Sequence, residues 1–99
     1  MRLWIDDCCP APEGYLHATS VYKAKAIIVR TERRQEEIEL IDIDYDAGAY
    51  FQYGGEYIEL LIWLEETKRS YPIHIHSTNP EEIKEMRRII KRNRWKERK

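Results

Sequence analysis

Apolar positions along the chain fall into short blocks, and the spacing inside each block predicts its element. Arg2 to Ile5 is a short, mainly apolar run that stops abruptly at Asp6-Asp7, the pattern of a buried strand. Pro10, Pro12 and Gly14 then impose a loop, because proline lacks a backbone donor and glycine frees the backbone. Tyr15-Leu16-His17-Ala18 reads as a second strand. Ser20 is a good N-cap for a helix carrying Val21, Ala24, Ile27 and Ile28 on one side, although Ile27-Ile28-Val29 is also strand-like and blurs its far end. After a charged connection, Ile38 to Ile43 makes a buried strand with acids entering at its carboxyl end. Ala47 to Gly55 is an aromatic, glycine-rich loop. Tyr57, Leu60, Leu61 and Leu64 then follow the i, i+3, i+4, i+7 rule, with Trp63 at the border and Lys68 and Arg69 suited to the negative end of the helix. Pro72 to His76 is the last predicted strand. Asn79 caps a final helix with Pro80 at its first position and Ile83, Met86 and Ile90 as its buried stripe, Ile89 beside them.

The order strand, strand, helix, strand, helix, strand, helix predicts an α/β fold. Parallel neighbours need crossovers, so the sheet is expected to be small and mostly parallel, about four strands flanked by helices. Right-handed crossovers favour a three-layer, receiver- or flavodoxin-like arrangement that lacks the usual last strand. The expected organisation is one domain over residues 1–99 with a basic C-terminal helix end over 84–99. In such sheets the ligand lies beyond the carboxyl ends of the strands, which gathers residues far apart in sequence.

Composition narrows the class. At 99 residues, with 42% apolar and 35% charged positions, the chain suits a single core. Two cysteines exclude a disulfide-dense secreted scaffold. No apolar stretch nears bilayer length, and Asp6-Asp7 interrupts any leader-like run, so a cytoplasmic protein without a membrane partner is expected. The net charge of -1 hides a division. From Pro80 onward nine bases face four acids, which leaves eight bases and fourteen acids in the rest of the chain. The basic end is most simply a helix terminus, and an RNA-contacting arm is the alternative.

Three predicted strand ends carry polar groups that are costly to bury unpaired. The first delivers Asp6 and Asp7. The third delivers Asp42, Asp44 and Asp46, which share one face by the two-residue period. The fourth delivers His74 and His76 on one face, followed by Ser77, Thr78 and Asn79. Clustered carboxylates repel one another unless a cation neutralises them, and hard oxygen ligands suit Mg²⁺ or Ca²⁺, with His76 extending the choice to Mn²⁺ or Zn²⁺. The Asn79 helix start offers backbone N–H groups to an anion. A divalent cation, such amides and an imidazole together suit phosphoryl chemistry. Structural readings compete at several positions: Asp7 as a loop cap, Asp46 as a turn residue, Asp42 as a buried hydrogen-bond partner, and His17 and His74 as structural imidazoles. Asp6, Asp44 and His76 at three adjoining strand ends favour function. Cys8 and Cys9 read as free thiols whose neighbouring acids oppose a nucleophilic thiolate. Tyr45, Tyr50, Phe51, Tyr53 and Tyr57 form an aromatic group that either packs over the sheet edge or walls a base or sugar.

Several of these stretches occur together in one family. Leu3-Trp4-Ile5-Asp6-Asp7, Ile41-Asp42-Ile43-Asp44-Tyr45-Asp46-Ala47-Gly48, Gly54-Gly55-Glu56-Tyr57 and Ile75-His76-Ser77-Thr78-Asn79-Pro80 jointly resemble the receiver-like family proposed to process cyclic phosphates. The resemblance implies a receiver-like fold and a metal-dependent phosphoesterase acting on a phosphate-containing small molecule, a nucleotide or an RNA end. By match it implies Asp6, Asp7 and Asp44 as ligands of a divalent cation, Mg²⁺ or Mn²⁺ foremost. His76 and Asp46 become the catalytic candidates and Ser77 and Asn79 the substrate-binding ones, to which Tyr45 is added from the aromatic group and not by match. The chain departs from the pattern where Tyr45 replaces a histidine, Cys9 an arginine, and Glu81-Glu82 a Val-Gly pair. Losing a base and an anion-binding guanidinium, and adding acids, keeps open a degenerate module that binds a nucleotide or a partner protein without turning it over.

Overall fold

The computed structural model describes residues 1–99. In chain order the elements are β1 (Arg2–Ile5), β2 (Tyr15–Ala18), α1 (Val21–Arg33), β3 (Leu40–Ile43), a short 3₁₀ turn (Gly48–Tyr50), α2 (Ile58–Glu66), β4 (Ile73–Ile75), α3 (Pro80–Arg92) and β5 (Glu97–Arg98). The strands form one five-stranded sheet in the order β2-β1-β3-β4-β5, and every neighbouring pair is parallel. This is the receiver/flavodoxin-like α/β fold, with the strand order of the doubly wound class.

Two expectations are corrected. The sheet has a fifth strand where about four and no last strand were expected, and the basic end is not helical to its terminus. Helix α3 stops at Arg92, Arg94 turns left-handed (φ 57°), Trp95 is buried, and Glu97–Arg98 pairs with Ile73–His74. A two-residue strand is too short to leave a periodic signal, and no glycine or proline marks the stop. A third correction concerns layers. All three helical crossovers step the same way across the sheet, from β2 to β3, β3 to β4 and β4 to β5, so right-handedness puts every helix on one face. Helix α2 packs against both α1 and α3 accordingly. The β1–β2 connection steps the opposite way and carries no helix, so only the 6–14 loop crosses the other face, where the Cys9 carbonyl accepts from Trp4 Nε1 at 3.1 Å. The fold has two layers rather than three.

The core lies between sheet and helices. Leu3, Ile5, Ile41, Ile43 and Ile73 meet Val21, Ala24 and Ile28 of α1, Leu60, Leu61 and Leu64 of α2, and Met86 and Ile90 of α3. The opposite sheet face carries the alternate residues, Trp4, Asp42 and His74, aligned across β1, β3 and β4. Ser20 caps α1 through the Lys23 N–H, and Asn79 caps α3 through the N–H groups of Glu81 and Glu82, as their spacing predicts. No helix is long and apolar enough to cross a membrane.

Candidate active site

Two residues beyond the Trp4–Asp42–His74 row, the same alternation carries Asp6, Asp44 and His76 past the carboxyl ends of β1, β3 and β4. The sheet register therefore brings together three residues from opposite ends of the sequence. A ligand atom of each lies within 4.8 Å of the others. Asp6 is 2% exposed, and its two oxygens are divided between different donors. Oδ1 accepts the N–H groups of Cys8 and Cys9, both at 3.0 Å, while Oδ2 lies 2.9 Å from His76 Nε2. Burial pushes this carboxyl up, but the two amides and the imidazole outweigh it and hold it below the ordinary range.

His76 is held from both sides. Its Nδ1 lies 2.7 Å from Asp42 Oδ1, which also takes His74 Nδ1 at 2.8 Å, and the Trp4 indole stacks on the ring with centroids 3.9 Å apart. Both ring nitrogens facing carboxylates can donate only if the imidazole is protonated. Burial alone lowers its pKa, but hydrogen bonds to Asp42 and Asp6 raise it above the ordinary histidine value. Asp44 is the least satisfied acid of the group. Its Oδ1 accepts only the Tyr45 N–H at 2.8 Å, and burial, with the charges of Asp6 and Asp7 adding, raises its pKa despite that bond and the opposing charge of His76. A carboxylate so placed gains from an added positive charge, so the oxygen-rich set fits a hard divalent cation.

The remaining candidates are placed less uniformly. A cleft of about 550 Å³ is lined by Trp4, Asp6, Cys9, Asp44, His76, Ser77, Thr78, Asn79 and Glu82. Ser77 and Asn79 therefore border it, but their side-chain oxygens are engaged: the Ser77 hydroxyl donates to Glu82 at 3.0 Å, and Asn79 Oδ1 accepts the Glu81 and Glu82 N–H groups. Asp7 stands against the 46–48 turn, where a Cβ on Gly48 would come within 2.3 Å of its Oδ2. Asp46 is exposed and accepts the Gly48 N–H at 2.8 Å, the geometry of a turn residue, and it does not line the cleft. Tyr45 points to a separate groove of about 760 Å³ and donates to Glu85 at 3.1 Å. Phe51 shares that groove, while Tyr57 is wholly buried and donates to the Thr19 carbonyl. The aromatic group does not wall the acidic cleft; Trp4 does. The Cys8 thiol is pushed up to about 11, first by its neighbour Cys9 and then by burial and the nearby acids, so it is no ready nucleophile.

Trp4 and Asp42 are the site residues that the strand-end reasoning underrates. Their signal was present: each sits two residues before Asp6 or Asp44, on the same face of the same strand. His17, read as structural, places Nε2 at 2.9 Å from the Asp6 carbonyl and fixes the end of β1.

A parallel sheet in receiver order, with acids after β1 and β3 and an imidazole after β4, defines a receiver-like domain with an acid-lined cleft. The chain belongs to the cyclic-phosphate processing Receiver domain family, whose model matches residues 1–92. No curated protein and no solved structure matches it.

Proposed function

We propose that the protein is a metal-assisted phosphoesterase that opens the ring of a cyclic phosphate on a nucleotide or an RNA end. The observation that carries this reading is the run of hydrogen bonds Asp42–His76–Asp6 standing beside the under-satisfied Asp44 in an open cleft. Asp6 and Asp44, with Asp7 from the adjoining loop, are the residues to hold Mg²⁺ or Mn²⁺. Such a cation supplies positive charge to phosphate oxygens as charge develops on them. Asp42 orients the His76 ring through Nδ1 and favours its protonated form. His76 is then the general acid, giving the Nε2 proton to the ribose oxygen as it leaves phosphorus, while a water oxygen bonds to phosphorus and releases a proton to solvent, from which the imidazole is protonated again. Trp4 fixes the plane of the ring and shields one side from water. Asp46 is assigned no proton transfer; it shapes the turn that positions Asp7.

Incubation with 2',3'-cyclic nucleotides and Mg²⁺ or Mn²⁺ is expected to give the ring-opened monophosphate. Asp44→Asn and His76→Ala are each expected to slow it by about a hundredfold or more. Absence of product from the unaltered chain under either metal would sink the catalytic reading.

A second reading rests on the engaged donors at the head of α3. With Ser77 donating to Glu82 and Asn79 closing the helix amides, the place where an anion would dock already faces acids. A non-catalytic module would still gain thermal stability from a cyclic nucleotide, give no product, and keep that gain in His76→Ala.

A further inference from the structure

Cys8 and Cys9 are unused by the phosphoesterase reading, yet the structure organises them closely. Both are exposed, and their sulfurs lie 3.5 Å apart. The loop that carries them is pinned at three points: both amides donate to Asp6 Oδ1, and the Cys9 carbonyl accepts from Trp4. The two sulfurs and an Asp6 oxygen all fall within 4.8 Å of one another. A tetrahedral ion with sulfur ligands at about 2.3 Å holds two of them roughly 3.8 Å apart, so the observed pair needs only a small opening to grip one. This donor set differs in kind from the oxygen set around Asp44. Thiolates select zinc-class cations, whereas carboxylates select magnesium and manganese.

We propose that Cys8, Cys9 and Asp6 form a binding site for a zinc-class divalent cation, and that its occupation competes with the oxygen-ligated site for the charge of Asp6. Each thiol loses its proton to water as its sulfur bonds to the ion. The carboxylate is the third ligand, and a water completes the tetrahedron. Asp6 turns Oδ1 to the cysteine loop and Oδ2 to His76 Nε2, so an ion held on the loop draws charge from the carboxylate that His76 faces and acts against cation binding in the cleft. The binding itself does not depend on the phosphoesterase reading.

Cadmium is the optical probe, since thiolate-to-cadmium charge transfer absorbs in the ultraviolet. Titrating the reduced full chain with Cd²⁺ is expected to saturate that band at one ion per chain, with Zn²⁺ competing it away. Cys8→Ser and Cys9→Ser each weaken binding tenfold or more, and the double variant abolishes the band. Because both thiols are exposed, these variants keep the fold, which circular dichroism checks. Asp44→Asn retains the band. Loading also shifts the His76 ring signals in NMR of the unaltered chain but not of the double serine variant. The proposal is overturned by the absence of a thiolate band, by saturation at one ion per two chains, or by unchanged affinity in both single serine variants. Loss of the band in Asp44→Asn would likewise overturn it by placing the ion in the oxygen cluster. None of these outcomes bears on whether cyclic nucleotides are turned over.

Discussion

Asp42 Oδ1 serves two imidazoles at once, His74 at 2.8 Å and His76 at 2.7 Å, from a nearly buried position. An amide there keeps an oxygen for both rings but removes the charge that strengthens those bonds and favours the protonated His76 ring. Asp42→Asn is therefore expected to lose about 1–3 kcal/mol, read from urea unfolding, as charge-assisted hydrogen bonds become neutral ones. At this scale the sequence is informative where two rules converge. Asp6, Asp44 and His76 could be grouped because strand alternation and the strand-end rule select the same three. Asp42 obeys only the first, and an inward acid reads equally well as a structural partner. The Ser77–Glu82 bond was not legible, because a serine placed to hold an anion and one placed to hold a glutamate are spelled alike.

Element boundaries show a different limit. All three helices end in the same way, with a residue other than glycine in the left-handed region just after the cap: Gln35 (φ 58°), Lys68 (φ 57°) and Arg94 (φ 57°). Each closes the paired backbone bonds of a Schellman end, such as Lys68 N–H to the Glu65 carbonyl and Arg69 N–H to that of Leu64. Helix starts were legible because Ser20 and Asn79 are marked cap residues, whereas ends without glycine carry no mark. Lys68, expected to sit in the last turn of α2, instead makes this left-handed turn, and Arg69 reaches Glu32 and lies over the Trp63 ring. Lys68→Gly is expected to gain about 0.5–1 kcal/mol in thermal or urea unfolding, since glycine bears that backbone without strain.

The α2–α3 pair supplies the pH prediction. Arg92 and then Asn93 hold Glu65 at about 2, far below the ordinary glutamate. A depressed folded value means that the stabilisation is whole above the unfolded value near 4.5 and is lost as pH falls toward 2. The melting temperature of the unaltered chain should therefore drop more steeply between these pH values than that of Glu65→Gln. Because the pair is exposed, added salt should shrink the difference.

Over the whole molecule, the receiver-like class was legible because alternating element types with turn signals permit few arrangements. The number of layers was not, because it follows from the direction in which each crossover steps, and that is known only once the strand order is. The charge division also changes meaning. Arg87 bonds Glu97 at 2.9 Å and Arg92 bonds Glu65, so part of the basic end is neutralised within the fold. The final residues lie beyond the stretch matched by the family yet complete the sheet, with buried Trp95 as their anchor and the Ile73 N–H donating to Lys96 at 2.9 Å. Trp95→Ala is expected to cost about 3–5 kcal/mol in urea unfolding and to speed hydrogen exchange at Ile73.

The face-to-face stack of Trp4 on His76 gives the molecule a built-in optical gauge. Indole emission responds to a charged imidazole in van der Waals contact, and the other two indoles have different surroundings, Trp63 beneath Lys25 and Arg69 and Trp95 in the core. Whatever draws the ring away, whether an ion, a nucleotide or a substitution at Asp42, should register as a change in brightness that Trp4→Phe removes. The site can therefore be followed in solution by its own light, with no label and before any product is known.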